Sequence, residues 1–269
     1  MDPADFPPGM DAYAPAQIAR RVESIGITKA RAPLAQTFAL AILAGGFIAL
    51  GGIFFTVVVT GSSAGFGVTR LVGGIAFSLG LVLVIVGGAE LFTGNNLLAM
   101  AWAAGKISLG EVARNWVVVY VGNFVGALGA VGWVYLSGIA ALAEGSVGQT
   151  MISIDRAKAE LGVGEAIGRG VLCNALVCLA VWLCFGARSV ADKILAIVFP
   201  ITAFVACGFE HSVANMYFLP MGWLLVNGTE AALPITGILQ NLAAVTVGNI
   251  LGGTGLVALA YWFIYLRQA

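Results

Sequence analysis

The chain reads as an all-α membrane protein: six transmembrane helices in two inverted three-helix repeats, with the second and fifth helices broken. Three observations predict this. Of 269 residues, 60% are hydrophobic and 10% charged, and the mean hydropathy is +0.98, whereas a soluble domain carries about 25% charged residues. Six stretches are long enough to cross about 30 Å of hydrocarbon at about 20 residues each. Two of those stretches are interrupted by a Gly-x-Glu core, Gly88 and Glu90 in one and Gly208 and Glu210 in the other.

Residues 1–34 are expected to be a cytoplasmic segment. They are polar, begin with Pro3, Pro7 and Pro8, and lack the apolar core and small-residue cleavage site of a signal peptide. A short amphipathic helix fits at about 16–26, started by Pro15, with Ile18, Val22 and Ile25 on one face and Arg20, Arg21 and Glu23 elsewhere. It is expected to lie on the cytoplasmic surface.

Residues 35–269 read as a single transmembrane transport domain. Four spans are uninterrupted, at about 35–59, 115–140, 170–187 and 238–266. The spans at about 71–104 and 194–226 carry the breaks. Arg20, Arg21, Lys29, Arg31, Lys106, Arg114, Arg188, Lys193 and Arg267 fall on one side, leaving Arg70, Arg156, Lys158 and Arg169 on the other. This bias places both termini of a multi-pass protein in the cytoplasm, and the membrane is expected to be a bacterial inner membrane.

The halves look related. Val121-Gly122-Asn123 in the third span recurs as Val247-Gly248-Asn249 in the sixth. Three spans per half force the second copy to enter the membrane upside down, and interrupted helices at matching places mark a pathway near the midplane. Gly122-x-x-x-Gly126 and Gly248-x-x-x-Gly252 fit close helix packing. Cys173, Cys178, Cys184 and Cys207 all fall in apolar runs and read as packing residues, with neither a disulfide nor a metal expected.

A helix broken within the bilayer frees backbone groups that lipid cannot satisfy, so the break must be buried in protein or line a polar cavity. The restarting half-helix points free N–H groups at that cavity and favours an anion. Thr93-Gly94 looks like one restart, with Thr93 able to cap or donate; Ser212 is a candidate cap for the other. The only histidine, His211, adjoins a break and Glu210, where it can donate a hydrogen bond or exchange a proton. Glu90 and Glu210 are expected to brace the broken backbone or hold the second nitrogen of His211. Phe77, Leu81, Leu91, Phe92 and Phe204 flank the breaks. Such residues usually pack a core, but beside a polar cavity they would form dry constrictions that exclude hydrated ions.

Zero net charge and dispersed basic residues give no reason to expect a nucleic-acid partner. A single histidine, with no His-Glu-x-x-His, no Gly-x-Ser-x-Gly and no paired aspartates, argues against an enzyme and calls for no cofactor or metal. A water or glycerol channel would share the inverted repeat but normally carries Asn-Pro-Ala at both half-helices, which this chain lacks.

Val86-Gly-Gly-Ala-Glu-Leu-Phe-Thr-Gly94 and Gly208-Phe-Glu-His-Ser-Val-Ala-Asn215 resemble the two signatures of the formate–nitrite transporter family. The likeness extends through Phe77-Ser-Leu-Gly-Leu81, Lys158, Cys173-Asn-Ala-Leu-Val177 and Thr246-Val-Gly-Asn249. The resemblance implies an aquaporin-like fold and a homopentamer with one pore per protomer. It implies that His211 and Thr93 face the central site, and that Lys158 and Asn174 draw the anion into the outer vestibule. Leu81, Phe92 and Val177 would form the cytoplasmic constriction, and Phe77, Leu91 and Phe204 the outer one. The implied substrate is formate, crossing with a proton as the neutral acid; nitrite or hydrosulfide through the same scaffold is the alternative.

Overall fold

The computed structural model describes residues 11–226 and 234–267, so Pro3, Pro7 and Pro8 lie outside the described residues. Within them the regular structure is helical. Helix α1 (Pro15–Arg31) starts at its proline, and the Gln17 side chain accepts the Ala14 N–H at 3.0 Å. It runs past the expected end at residue 26. Nor does it merely rest on a surface: Ile18, Ala19 and Val22 are buried in a cluster with Leu97, Met100, Val181 and Trp182.

The first half continues with α2 (Leu34–Val59) and α3 (Phe66–Gly87). After the break come a 3-10 turn (Gly94–Leu98) and the short α4 (Ala99–Ala103), then α5 (Leu109–Leu136). Ser108 caps α5 in a reciprocal box with Glu111. The second half comprises α6 (Ser146–Ala159), α7 (Val163–Gly186), α8 (Val190–Ala206), α9 (Ser212–Val226) and α10 (Ile235–Ile250). Helix α10 runs through a π-helical stretch (Leu251–Leu259) into α11 (Ala260–Tyr265). The sixth span was expected to be uninterrupted, and it is continuous, but its hydrogen-bond register slips. The slip begins where Gly252 meets the Val171 carbonyl so closely that a Cβ would overlap it.

Glycines set the helix crossings, twice over. A Cβ on Gly126 would overlap the Ile42 carbonyl, and one on Gly45 the Asn123 carbonyl, so α5 lies backbone-to-backbone on α2. In the same manner Gly248 seats α10 against the Ile167 carbonyl of α7, and Gly252 seats the π-helical stretch against that of Val171. Close approach of this kind is how helices associate in lipid. The polarity is inside-out: Asn95, Asn115, Asn123, Asn174, Asn215, Asn241 and Asn249 are buried, while Leu50, Phe54, Ile75, Trp133 and Phe199 face outward.

Candidate functional site

Both breaks are made by a glycine in the left-handed region, where L side chains are strained. Gly88 (φ +79°) ends α3, with the Gly88 and Ala89 N–H groups both returning to the Val84 carbonyl. Gly208 (φ +72°) ends α8, and its N–H donates to the Val205 carbonyl at 3.1 Å. The chain then crosses to a neighbouring helix: Glu90 N–H donates to the Leu40 carbonyl and Glu210 N–H to the Arg169 carbonyl, each at 3.2 Å.

The repeated asparagines satisfy the rest of the broken backbone. Asn123 Nδ2 donates to the Ala41 (2.8 Å) and Glu90 (2.9 Å) carbonyls, and its Oδ1 accepts Phe92 N–H. Asn249 Nδ2 donates to the Gly170 (2.8 Å) and Glu210 (2.9 Å) carbonyls, and its Oδ1 accepts Ser212 N–H. The Val-Gly-Asn repeats thus supply both the helix contact and the polar brace.

Each carboxylate is held by a lysine and an asparagine. Lys158 lies 2.9 Å from Glu210, and Asn215 Nδ2 donates to Glu210 (2.6 Å) and to Asn241 Oδ1 (2.7 Å). On the other side Lys29 lies 3.0 Å from Glu90, and Asn95 Nδ2 donates to Glu90 (2.6 Å) and Asn115 Oδ1 (3.0 Å). Each lysine carbonyl accepts from the last asparagine, Asn241 or Asn115. Burying a carboxylate is tolerable when charge and hydrogen bonds are both met. Glu210 therefore braces through its main chain and anchors Lys158, and it does not hold His211.

Lys29 is a site residue that the sequence reading passed over as one of several basic residues ahead of the first span. The signal was present: Lys, Glu, Asn, Asn, Asn occur in that order at 29, 90, 95, 115, 123 and again at 158, 210, 215, 241, 249. Helix α1 is accordingly the counterpart of α6, and the repeat begins before the first span.

The internal symmetry fails at the centre. Asn95 N–H returns to the Leu91 carbonyl as Asn215 N–H returns to that of His211, so leucine on one side answers histidine on the other. There Thr93 Oγ1 and His211 Nε2 meet at 2.9 Å, both buried. Nδ1 of His211 accepts the Ala214 N–H at 3.0 Å, so the neutral ring carries its proton on Nε2 and donates it to Thr93. His211 is thereby the cap of α9. Ser212, expected to cap it, has a buried hydroxyl without a hydrogen-bond partner, and the Thr93 side chain caps nothing because it is turned to the histidine.

Two cavities reach this region: one includes His211 in its lining, and the recess of the other includes Leu91 and Gly94, close to Thr93 in the chain. One, of about 180 Å³, is lined by Phe77, Lys158, Phe204, Glu210 and His211 together with Arg70 and Arg169. The other, of about 510 Å³, is lined by Tyr13, Arg21, Lys29, Glu90, Arg188 and Lys193 and shares Lys29, Val84 and Phe185 with a recess of about 40 Å³ at Leu81 and Leu91. Phe77 and Phe204 meet edge-on at 5.7 Å, and the Phe204 ring stacks at 5.9 Å on His211.

Three placements differ from expectation. Leu91 lines the same recess as Leu81 instead of standing with Phe77 and Phe204. Asn174 lies outside the vestibule and fully buried, because its Nδ2 is held by the Thr93 and Asn249 carbonyls and by Asn96 Oδ1. Cys207 is exposed at the end of α8, whereas Cys173, Cys178 and Cys184 are buried as expected. Phe92 and Val177 are buried and line neither cavity; Phe92 packs edge-on against Trp116 and Tyr120.

The geometry is matched by known proteins. Formate channel FocA of Escherichia coli (strain K12) is 42% identical, the match covering 98% of each chain. A solved structure described as a pentameric formate channel with formate bound is 40% identical over 87% of this chain and 98% of that one, with a TM-score of 0.79. An FNT family ion channel, 31% identical over 92% and 98%, gives a TM-score of 0.84. The aquaglyceroporin from Plasmodium falciparum, at 15% identity over 85% and 99% and a TM-score of 0.54, shares the fold alone. A profile described as formate/nitrite transporter matches residues 16–263. With two inverted halves meeting at Thr93 and His211, this multi-pass membrane protein belongs to the formate/nitrite transporter family.

Proposed function

We propose that the chain carries a small monovalent weak-acid anion, formate foremost, across a bacterial inner membrane, and that the anion passes the centre as the neutral acid. The observation that carries this reading is the Thr93–His211 pair, buried where two separate cavities approach each other. Formate is the substrate in the names of the relatives, and a solved neighbour is described as pentameric, which supports a homopentamer here. Both termini face the cytoplasm in this reading, with α1 beneath the pore and residues 35–269 as the transport domain.

Lys158 attracts the anion into the outer cavity. As the anion sheds water between Phe77 and Phe204 its charged form loses solvation, and its proton affinity rises. The neutral acid then meets the Thr93 hydroxyl. That oxygen accepts from His211 Nε2–H, which leaves its own hydrogen for the passing substrate. A proton handed over by His211 has to be replaced at Nδ1, displacing the Ala214 amide, so relay through the ring costs a rearrangement at the start of α9. A proton taken directly from water in the cavity avoids that cost.

The test is radiolabelled formate uptake in proteoliposomes across a pH series. His211→Phe is expected to abolish proton-coupled uptake, and uptake unchanged at every pH refutes the role of the imidazole. Competition by nitrite and hydrosulfide ranks the three anions; inhibition by nitrite at far lower concentration than unlabelled formate would displace formate as the main substrate.

A further inference from the structure

The outer cavity holds two cations that the internal symmetry does not require. Arg70 Nε and Nη2 donate to the Ala206 (2.9 Å) and Val205 (2.7 Å) carbonyls, and Arg169 Nη1 donates to the Gly208 carbonyl (3.2 Å). A Cβ on Gly208 would stand 3.0 Å from Arg70 Nη2 and 3.6 Å from Arg169 Nη1, so both guanidinium groups crowd one point on the cavity wall.

Their carbonyl bonds look at first like a cap on the end of α8. The inner break argues otherwise. The positions corresponding to Arg169 and Arg70 there are Leu40 and Val190, and a Cβ on Gly88 would meet nothing within 4 Å. An equivalent helix end thus closes without arginines. Arg70 is half-buried, and among the described residues it touches carbonyls and the Phe66 ring but no carboxylate. Among the described residues Arg169 pairs with one carboxylate, the exposed Glu165 one turn earlier. Lys158 is already matched by Glu210. Among the described residues the cavity therefore carries unneutralised positive charge, and each guanidinium keeps N–H groups that no atom of those residues uses.

We propose that Arg70 and Arg169 form an outer capture site for a small carboxylate or comparable weak-acid anion, held still hydrated before it reaches Lys158. This rests on the transport reading above. The fork geometry of a guanidinium suits a carboxylate, and a cation pair in a concave mouth raises the local anion concentration.

The experiment is initial formate uptake by proteoliposomes at about 10 mM and at about 1 M ionic strength, where the screening length falls from about 30 Å to about 3 Å. R70Q and R169Q are expected to raise the half-saturating concentration on the order of fivefold each at low ionic strength, with an unchanged maximal rate. The difference should vanish at high ionic strength, and R70K and R169K, which keep the charge but lose the fork, should fall between the glutamine variants and wild type. E165Q, which frees Arg169, should shift it the opposite way. Wild-type half-saturation in the glutamine variants, or a defect equal at both ionic strengths, overturns the site. If the glutamine variants fail to assemble, E165Q decides: an unchanged half-saturating concentration overturns it. If the wild type moves no formate, the transport reading falls, while broadening of the chloride-35 resonance still tests the pair alone. Broadening lost in the double variant supports the site, and broadening retained overturns it.

Discussion

At the scale of single residues, the hydroxyl of Thr93 joins the two halves through His211. Thr93→Val preserves the shape but leaves a buried Nε2–H without an acceptor, at a cost of about 1–3 kcal/mol. We expect formate uptake to fall at least tenfold in this variant and to recover in Thr93→Ser; equal uptake by valine and threonine proteins would remove the hydroxyl from the pathway. Asp155, outside the membrane spans, offers a second test. It is fully buried against Gly222, and neither carboxyl oxygen has a hydrogen-bond partner. Burial pushes its pKa up to about 7 against the pull of Arg156. The folded protein then holds this proton more tightly than the unfolded chain. Its stability declines as pH rises from the usual carboxylate range to about 7, and levels off above that. Asp155→Asn should therefore melt higher than wild type at pH 8, with the gap closing towards pH 4.5. A gap independent of pH would show that Asp155 is already ionised. His211 and Glu210 were legible in the sequence because charge in an apolar run is costly and conspicuous. Lys29 was not, since its meaning depends on α1 folding back to meet Glu90, 61 positions along the chain.

At the scale of elements, glycine does two different jobs along one helix. Gly126 of α5 lies against the Ile42 carbonyl, whereas a Cβ on Gly129 meets nothing within 4 Å. Gly126→Ala should push α5 off α2 and destabilise by about 1–3 kcal/mol. Gly129→Ala should be neutral, or stabilising by up to about 1 kcal/mol from helix propensity. Thermal unfolding in detergent separates the two, and equal effects would mean that the crossing tolerates a methyl group. The spans and both breaks could be read from hydropathy and the Gly-x-Glu cores. The length of α1, the 3-10 restart at Gly94 and the π-helical slip at Leu251 could not, because each is set by what packs against it. The Val-Gly-Asn repeat was visible as a pattern, but only the fold reveals Asn123 and Asn249 as braces, each of the break in its own half.

At the scale of the molecule, inverted repeats give each of the two cavities its own lysine, Lys29 in one and Lys158 in the other, which the proposed function sets on the inner and outer sides. Neutralising one should impair entry from its own side. We expect Lys158→Ala to slow influx and Lys29→Ala to slow efflux in oriented vesicles, each severalfold; two variants slowing both directions alike would break the correspondence. Apolar faces such as those of Leu50, Phe54 and Phe199 surround this polar interior and are left for lipid or neighbouring subunits. The repeat is imperfect at the point where Leu91 stands opposite His211. A monovalent anion that crosses as its neutral acid takes one hydrogen ion with it, whether His211 or water supplied it. Under the proposed function, an acidity difference of one pH unit then sustains at most about a tenfold accumulation. A steeper gradient would demand a second proton per solute, which the neutral acid does not carry.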